Sequence, residues 1–168
     1  TYPELEEAAG ITDDNRVYDD NEMVCHKYVG MFFSQHTIST DLIQSITDEA
    51  NLDAGFQVTN QALNIKIKSF STDEWVFRNG EYITSTPTEI PFSIVIPDYK
   101  EGAKYGIVRV HDNGDGTTSY DVLPTSVLNG VISFSSNKFS DFVLIKNDSG
   151  NDLTAPSISN NYQKDDTS

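Results

Sequence analysis

The chain has 168 residues, enough for one domain with tails, and its 37% hydrophobic content is sufficient to bury a core without disulfides. Nucleic acids and anionic membrane surfaces would repel its formal net charge of −15, which excludes both as predicted partners. No apolar stretch approaches the roughly 18–20 residues needed to cross a bilayer, so we expect no membrane insertion by this chain.

The distribution of charged and apolar residues predicts three segments. Residues 1–22 carry eight acidic side chains and one arginine, which is typical of a solvated arm. Residues 23–146 contain the periodic apolar patterns of a folded domain. Residues 147–168 are mostly polar and cannot bury enough surface to offset the entropy of ordering them, so we predict a linker or the start of a stalk.

The folded segment begins with strands and one helix. An apolar run over residues 23–33 predicts one or two strands. Residues 39–52 predict a helix, centred near residues 41–51, because four apolar residues recur on one face: Leu42, Ile43, Ile46 and Ala50. In this prediction Asp41 caps the helix and Gly55 ends it.

From residue 56 onwards the apolar period changes to two, which is typical of half-buried strands. Asn-Gly dipeptides at 79–80 and 129–130 suit two-residue hairpin turns, and the loop 112–116 is predicted to join two further strands. Strands are predicted at 63–68, 74–78, 81–84, 90–96, 105–111, 119–123, 125–128, 131–134 and 139–145. Short strands at this spacing predict a mainly β fold, an antiparallel β-sandwich (immunoglobulin-like or related) with one short helix.

The last strands also carry a series of sequence motifs. The motifs are Ile107-Val108-Arg109-Val110-His111-Asp112, Val122-Leu123-Pro124-Thr125, Asn129-Gly130-Val131-Ile132-Ser133-Phe134 and Asn137-Lys138-Phe139-Ser140-Asp141-Phe142-Val143-Leu144. This series resembles a β-sandwich module that recurs in large surface proteins of Gram-positive bacteria. The resemblance covers residues 88–146 well and 40–87 loosely. It implies an extracellular location on the bacterial cell surface, with other domains of the same protein as partners.

Two functions are consistent with these features. The resemblance and the polar tail favour a non-enzymatic structural module that displays or spaces other domains of a secreted or wall-attached surface protein. The alternative is an adhesion domain that binds a glycan or a host protein through exposed aromatic residues, with Trp75, Phe77 and Tyr82 as candidates. Solvent exposure of this face would favour the binding interpretation.

No pattern in the sequence predicts catalysis, so we expect no enzyme activity and name no catalytic residue. His26, His36 and His111 show no metal-binding spacing. On a strand, His26 and Cys25 would point to opposite faces, which does not suit a catalytic pair. Lys138 stands where self-cleaving sandwiches of the netrin-receptor type carry a catalytic histidine before Phe-Ser, and a protonated lysine is a poor base.

The loop 112–116 offers oxygen ligands of the kind that Ca²⁺ prefers, chiefly the carboxylates of Asp112 and Asp115. Its Asn and Gly residues also suit a tight hairpin turn, which is the favoured interpretation. We therefore expect no cofactor, with Ca²⁺ at this loop as the alternative.

Intramolecular Lys–Asn cross-links require a lysine in a dry core. Lys66 and Lys68 occupy the polar positions of an alternating strand, whereas Lys27 lies within an apolar run. We expect no cross-link, with Lys27 as the alternative site.

Overall fold

A computed structural model describes residues 26–73 and 76–148 of the chain. Its elements are β1 His26–Thr37, α1 Thr40–Glu49, β2 Gln57–Asp73, β3 Val76–Ile83, β4 Ser85–Val95, β5 Lys104–Asp112, β6 Thr118–Leu123, β7 Thr125–Leu128, β8 Val131–Lys138 and β9 Asp141–Asn147. All strand pairs in these segments are antiparallel. The predicted arm at 1–22 and nearly all of the predicted linker lie outside the described residues.

The strands form two sheets that pack face to face, which confirms the predicted antiparallel β-sandwich. The larger sheet has the order β1-β2-β9-β5-β6, with β3 also paired to β2, and the smaller sheet has the order β4-β8-β7. β2 exchanges partners along one side, because residues 57–64 pair with β9 and residues 67–73 pair with β3.

The sandwich core lies between the two sheets and follows the predicted alternation. Its buried residues are Leu63, Ile65, Ile67, Ile90, Phe92, Ile96, Tyr105, Ile107, Leu123, Ile132, Phe134, Phe139, Phe142 and Leu144. Phe92 is central, because its ring centroid lies 5.6 Å from that of Phe134 and 6.3 Å from those of Phe139 and Phe142. Phe139 and Phe142 both lie in this core because the chain crosses from the smaller sheet to the larger one between them.

Helix α1 covers the opposite face of the larger sheet and forms a second core there. The buried residues of this core are Ile38, Ile46, Ala62, Val108, Val110, Val143 and Ile145, and Leu42, Ile43 and Ala50 of the predicted helical face pack against them. The helix is confirmed, with shorter bounds than predicted. Within the described segments, no helix is long and apolar enough to cross a bilayer.

The predicted ends of the helix were wrong. Ser39 is the N-cap, and its hydroxyl oxygen accepts a hydrogen bond of 3.2 Å from the backbone N–H of Leu42. Asp41 instead lies in the first turn, where a carboxylate interacts favourably with the helix dipole. Gly55 lies beyond the helix end and adopts a φ of +88° in the turn before β2.

Two of the three predicted turns are confirmed. Asn129 and Gly130 have φ angles of 51° and 78° and join β7 to β8, and the loop 112–116 joins β5 to β6. The turn at Asn79-Gly80 was wrong, because β3 continues through both residues. They lie opposite Phe70 at an irregularity in the β2–β3 register, and an Asn-Gly pair suits such a bulge as well as a turn.

Ile46 is the buried residue of α1, and its truncation tests how much the second core contributes to the stability of the fold. Ile46 is 0% exposed beneath α1, so Ile46→Ala should lower the free energy of unfolding by roughly 2–5 kcal/mol. Glu49→Ala, at an exposed position of the same helix, should change it by less than about 0.5 kcal/mol. Urea denaturation followed by circular dichroism measures both, and equal stability of the two variants would contradict this account of the second core.

Candidate functional site

The partner exchange of β2 leaves a groove in the larger sheet, between the end of β3 and the start of β9. We call this the β3–β9 groove. It encloses about 250 Å³ and is lined by Asn64, Ile65, Lys66, Ile67, Tyr82, Ile83, Thr84, Phe139 and Ser140. Of the binding residues predicted from the sequence, this groove contains Tyr82.

The groove is held by backbone hydrogen bonds from both sides. The N–H of Ile65 donates to the carbonyl oxygen of Ser140 at 2.9 Å, and the N–H of Phe139 donates to the carbonyl oxygen of Thr84 at 3.1 Å. The Phe139 ring is anchored in the sandwich core. Because these contacts fix the turn between β8 and β9 against β2 and the end of β3, the groove is part of the rigid fold.

Tyr82 and Lys66 line one side of the groove, and Lys68 lies beside them against the Tyr82 ring. Its side chain is 56% exposed, and it pairs in register with Lys68 on the neighbouring strand. The ammonium nitrogens of Lys68 and Lys66 lie 4.6 Å and 5.6 Å from the ring centroid, within the range of cation–π attraction. Among the described side chains, no carboxylate forms an ion pair with either lysine.

A hydrogen-bonded carboxylate, that of Asp141, adjoins the groove next to the lining residues Asn64 and Ser140. Oδ1 of Asp141 accepts a hydrogen bond of 2.8 Å from Nδ2 of Asn64 and lies 3.0 Å from Nε2 of His36. The carboxylate is therefore held towards β1 and β2. The site as a whole offers two ammonium groups, an exposed aromatic ring and several hydrogen-bonding groups.

The side chains of the other two predicted binding residues, Trp75 and Phe77, are not described by the structure. Trp75 lies outside the described residues. The backbone of Phe77, in β3, pairs with that of Thr72 in β2, but the Phe77 side chain lies outside the described part of the structure. The two lysines were not predicted as site residues, although the alternation of residues 63–68 places both on the same face as each other. That shared face was the signal in the sequence that could have identified them.

The carboxylates of the two predicted calcium ligands accept hydrogen bonds from backbone N–H groups of their own loop. Oδ1 of Asp112 accepts from the N–H of Gly114 at 2.8 Å, and Oδ1 of Asp115 accepts from the N–H of Thr117 at 2.9 Å. Hydrogen bonds from the hydroxyl and the N–H of Thr117 lower the pKa of Asp115. Within the described residues, no three His, Cys, Asp or Glu side chains converge. This geometry is that of the favoured hairpin turn, and the calcium alternative stays a prediction.

Two basic residues of β5 lie buried on the face towards the smaller sheet. Arg109 donates to the Ser136 hydroxyl at 3.0 Å and to Asp121 at 3.2 Å. Nε of Arg109 and Nδ1 of His111 are buried and have no hydrogen-bond partner among the described residues. Burial and the positive charge of Lys138 lower the pKa of His111, and a hydrogen bond to the backbone of Phe139 opposes this shift.

Comparison with known proteins adds no further assignment. No protein-family model, curated protein or solved structure matches the chain.

His111 should make the fold sensitive to acid. Its pKa in the folded state lies below the ordinary value of 6.5. As the pH falls through about 6.5, the unfolded chain binds a proton that the folded chain resists, so the free energy of unfolding decreases by up to about 1.4 kcal/mol per pH unit until the folded pKa is reached. His111→Gln keeps a side chain that can donate to Phe139 and removes the titration.

Urea denaturation between about pH 7.5 and pH 5 measures this effect. Wild type should lose more stability than His111→Gln over this range. The charged groups near His111 are Arg109, Asp112 and Lys138. Parallel curves for wild type and His111→Gln would contradict the prediction.

Proposed function

We propose that the chain is a non-enzymatic structural module of a secreted or wall-attached bacterial surface protein, where it displays or spaces other domains. The observation that carries this proposal is the burial of the motif-bearing strands on both faces. Val108 and Val143 are 0% exposed on the helix side, and Ile107 and Phe142 are 1% exposed on the sandwich side. A module that spaces other domains must resist deformation, and two cores that share the same strands supply that resistance.

The proposed location is the extracellular face of the bacterial cell, with neighbouring domains of the same protein as partners. This location is proposed from the resemblance of residues 88–146 to modules of Gram-positive surface proteins. A catalytic role is not part of the proposal.

Antibody labelling of intact cells tests the location. In the organism that encodes the chain, antibodies raised against the purified module should label unpermeabilised cells, and treatment of intact cells with protease should remove the signal. An antibody against a cytosolic protein is the control. Labelling that appears only after permeabilisation would overturn the surface proposal.

A second candidate function is binding of a glycan or a host protein. The observation that favours it is the β3–β9 groove, where Tyr82 is more than half exposed beside Lys66 and Lys68. Exposed aromatic residues on a rigid sheet commonly provide binding contacts. Display and binding are compatible, because a module that spaces other domains could also carry a ligand on one face.

For either function we expect a chain that is neither cleaved nor cross-linked. Lys138, in the position of the self-cleavage base, is a poor base when protonated, and Lys66 is exposed to solvent. The intact mass of the purified chain should therefore equal the mass of its sequence. Two fragments divided between Phe139 and Ser140 would indicate self-cleavage. A mass lower by one ammonia would indicate a Lys–Asn cross-link, with Lys27 as the first residue to substitute.

A further inference from the structure

The charge in the β3–β9 groove opposes the charge of the whole chain. The chain has a formal net charge of −15, yet Lys66 and Lys68 lie side by side on β2 without a carboxylate partner among the described side chains. The Debye length is about 8 Å at an ionic strength of about 0.15 M. A ligand in the groove therefore interacts mainly with these two ammonium groups and with the Asp141 carboxylate, whose Oδ1 already accepts from Asn64 and lies 3.0 Å from Nε2 of His36, while distant carboxylates are screened. This local charge favours an anion.

The remaining surface of the groove favours a sugar ring as the carrier of that anion. Tyr82 offers a partly exposed ring against which the apolar C–H face of a sugar can pack. Thr84, Ser140 and Asn64 line the same groove and provide groups that exchange hydrogen bonds with hydroxyls. An acidic peptide would satisfy the lysines, but its extended backbone would supply few hydroxyls for this polar rim.

We propose that the β3–β9 groove binds an acidic saccharide, with its carboxylate or sulfate held by Lys66 and Lys68 and its sugar ring packed against Tyr82. This inference rests on the second candidate function, binding, and names its ligand class. Carboxylate and sulfate share the required charge, and separate probes distinguish them.

Titration of the complete chain with four oligosaccharide or peptide probes tests the ligand class. The probes are a hyaluronan tetrasaccharide (carboxylate), a κ-carrageenan tetrasaccharide (sulfate), neutral cellotetraose and tetraglutamate, each followed by nuclear magnetic resonance shifts of backbone amides. At least one acidic saccharide should bind, with shifts centred on residues 64–68, 82–84 and 139–141. Cellotetraose and tetraglutamate should each bind at least tenfold more weakly.

Variants then test the assigned roles. Lys66→Gln combined with Lys68→Gln should weaken binding roughly tenfold, because two exposed charge pairs are lost. Lys100→Gln combined with Lys104→Gln changes the net charge equally at exposed positions outside the groove and should leave the affinity unchanged within about twofold. Circular dichroism of each variant establishes that it folds.

The aromatic contact has its own pair of variants. Tyr82→Ala should weaken binding at least fivefold, whereas Tyr82→Phe, which keeps the ring, should bind within about threefold of wild type. Equal weakening by the groove variant and the Lys100/Lys104 control would show general charge attraction and overturn the assigned site.

Two outcomes separate this inference from the functions proposed above. Tetraglutamate binding as tightly as the saccharides would show that the groove recognises anions without selecting sugars, which overturns the inference and leaves protein binding as a function. The absence of binding by either acidic saccharide would also overturn it. Neither result bears on surface labelling of intact cells, which tests the display function independently.

Discussion

The structure depends on the burial of the larger sheet on both faces. In β9, four consecutive residues, Phe142 to Ile145, are buried, and they alternate between the sandwich core and the helix-side core. A strand of this kind is stable only if both faces are covered, because either exposed face would return a row of large apolar side chains to water. The smaller sheet covers one face and α1 covers the other. The helix is therefore a required layer of this sandwich.

The same constraint positions the candidate site. β9 begins at Asp141 because Phe139 must enter the sandwich core where the chain crosses between sheets. β2 extends well beyond that point and takes β3 as its next partner, which leaves the groove between the two partners. The helix packs over Ala62 and Val143 and not over Lys66. At the groove, β2 has strand partners, but α1 does not cover its outer face. Polar and aromatic side chains can lie on this face because they displace no residue of either core.

The features that the sequence predicted are those decided by local periodicity. Alternation identified the buried residues Leu63, Ile65 and Ile67, and the helical period identified the face around Ile46, because burial repeats with the period of the backbone. The Asn79-Gly80 turn failed because an Asn-Gly pair suits both a turn and a bulge, and the choice depends on pairing with β2. The groove could not be predicted in the same way. It joins residues near 65, 83 and 140, and no local pattern specifies that β2 exchanges partners between them.

His111 and the candidate site are both linked to the turn between β8 and β9. His111 forms its hydrogen bond with the backbone of Phe139, and the next residue, Ser140, accepts the hydrogen bond that fixes the turn to β2. Protonation of His111 adds a positive charge near Lys138 in a poorly solvated position, and the resulting repulsion acts on the segment that forms one side of the groove. Acid should therefore loosen the groove before the far end of the smaller sheet, where the N–H of Ile96 donates to the carbonyl oxygen of Gly130. Hydrogen exchange at pH values on either side of about 6.5 measures this order, because the Ile65 amide should lose protection earlier than the Ile96 amide.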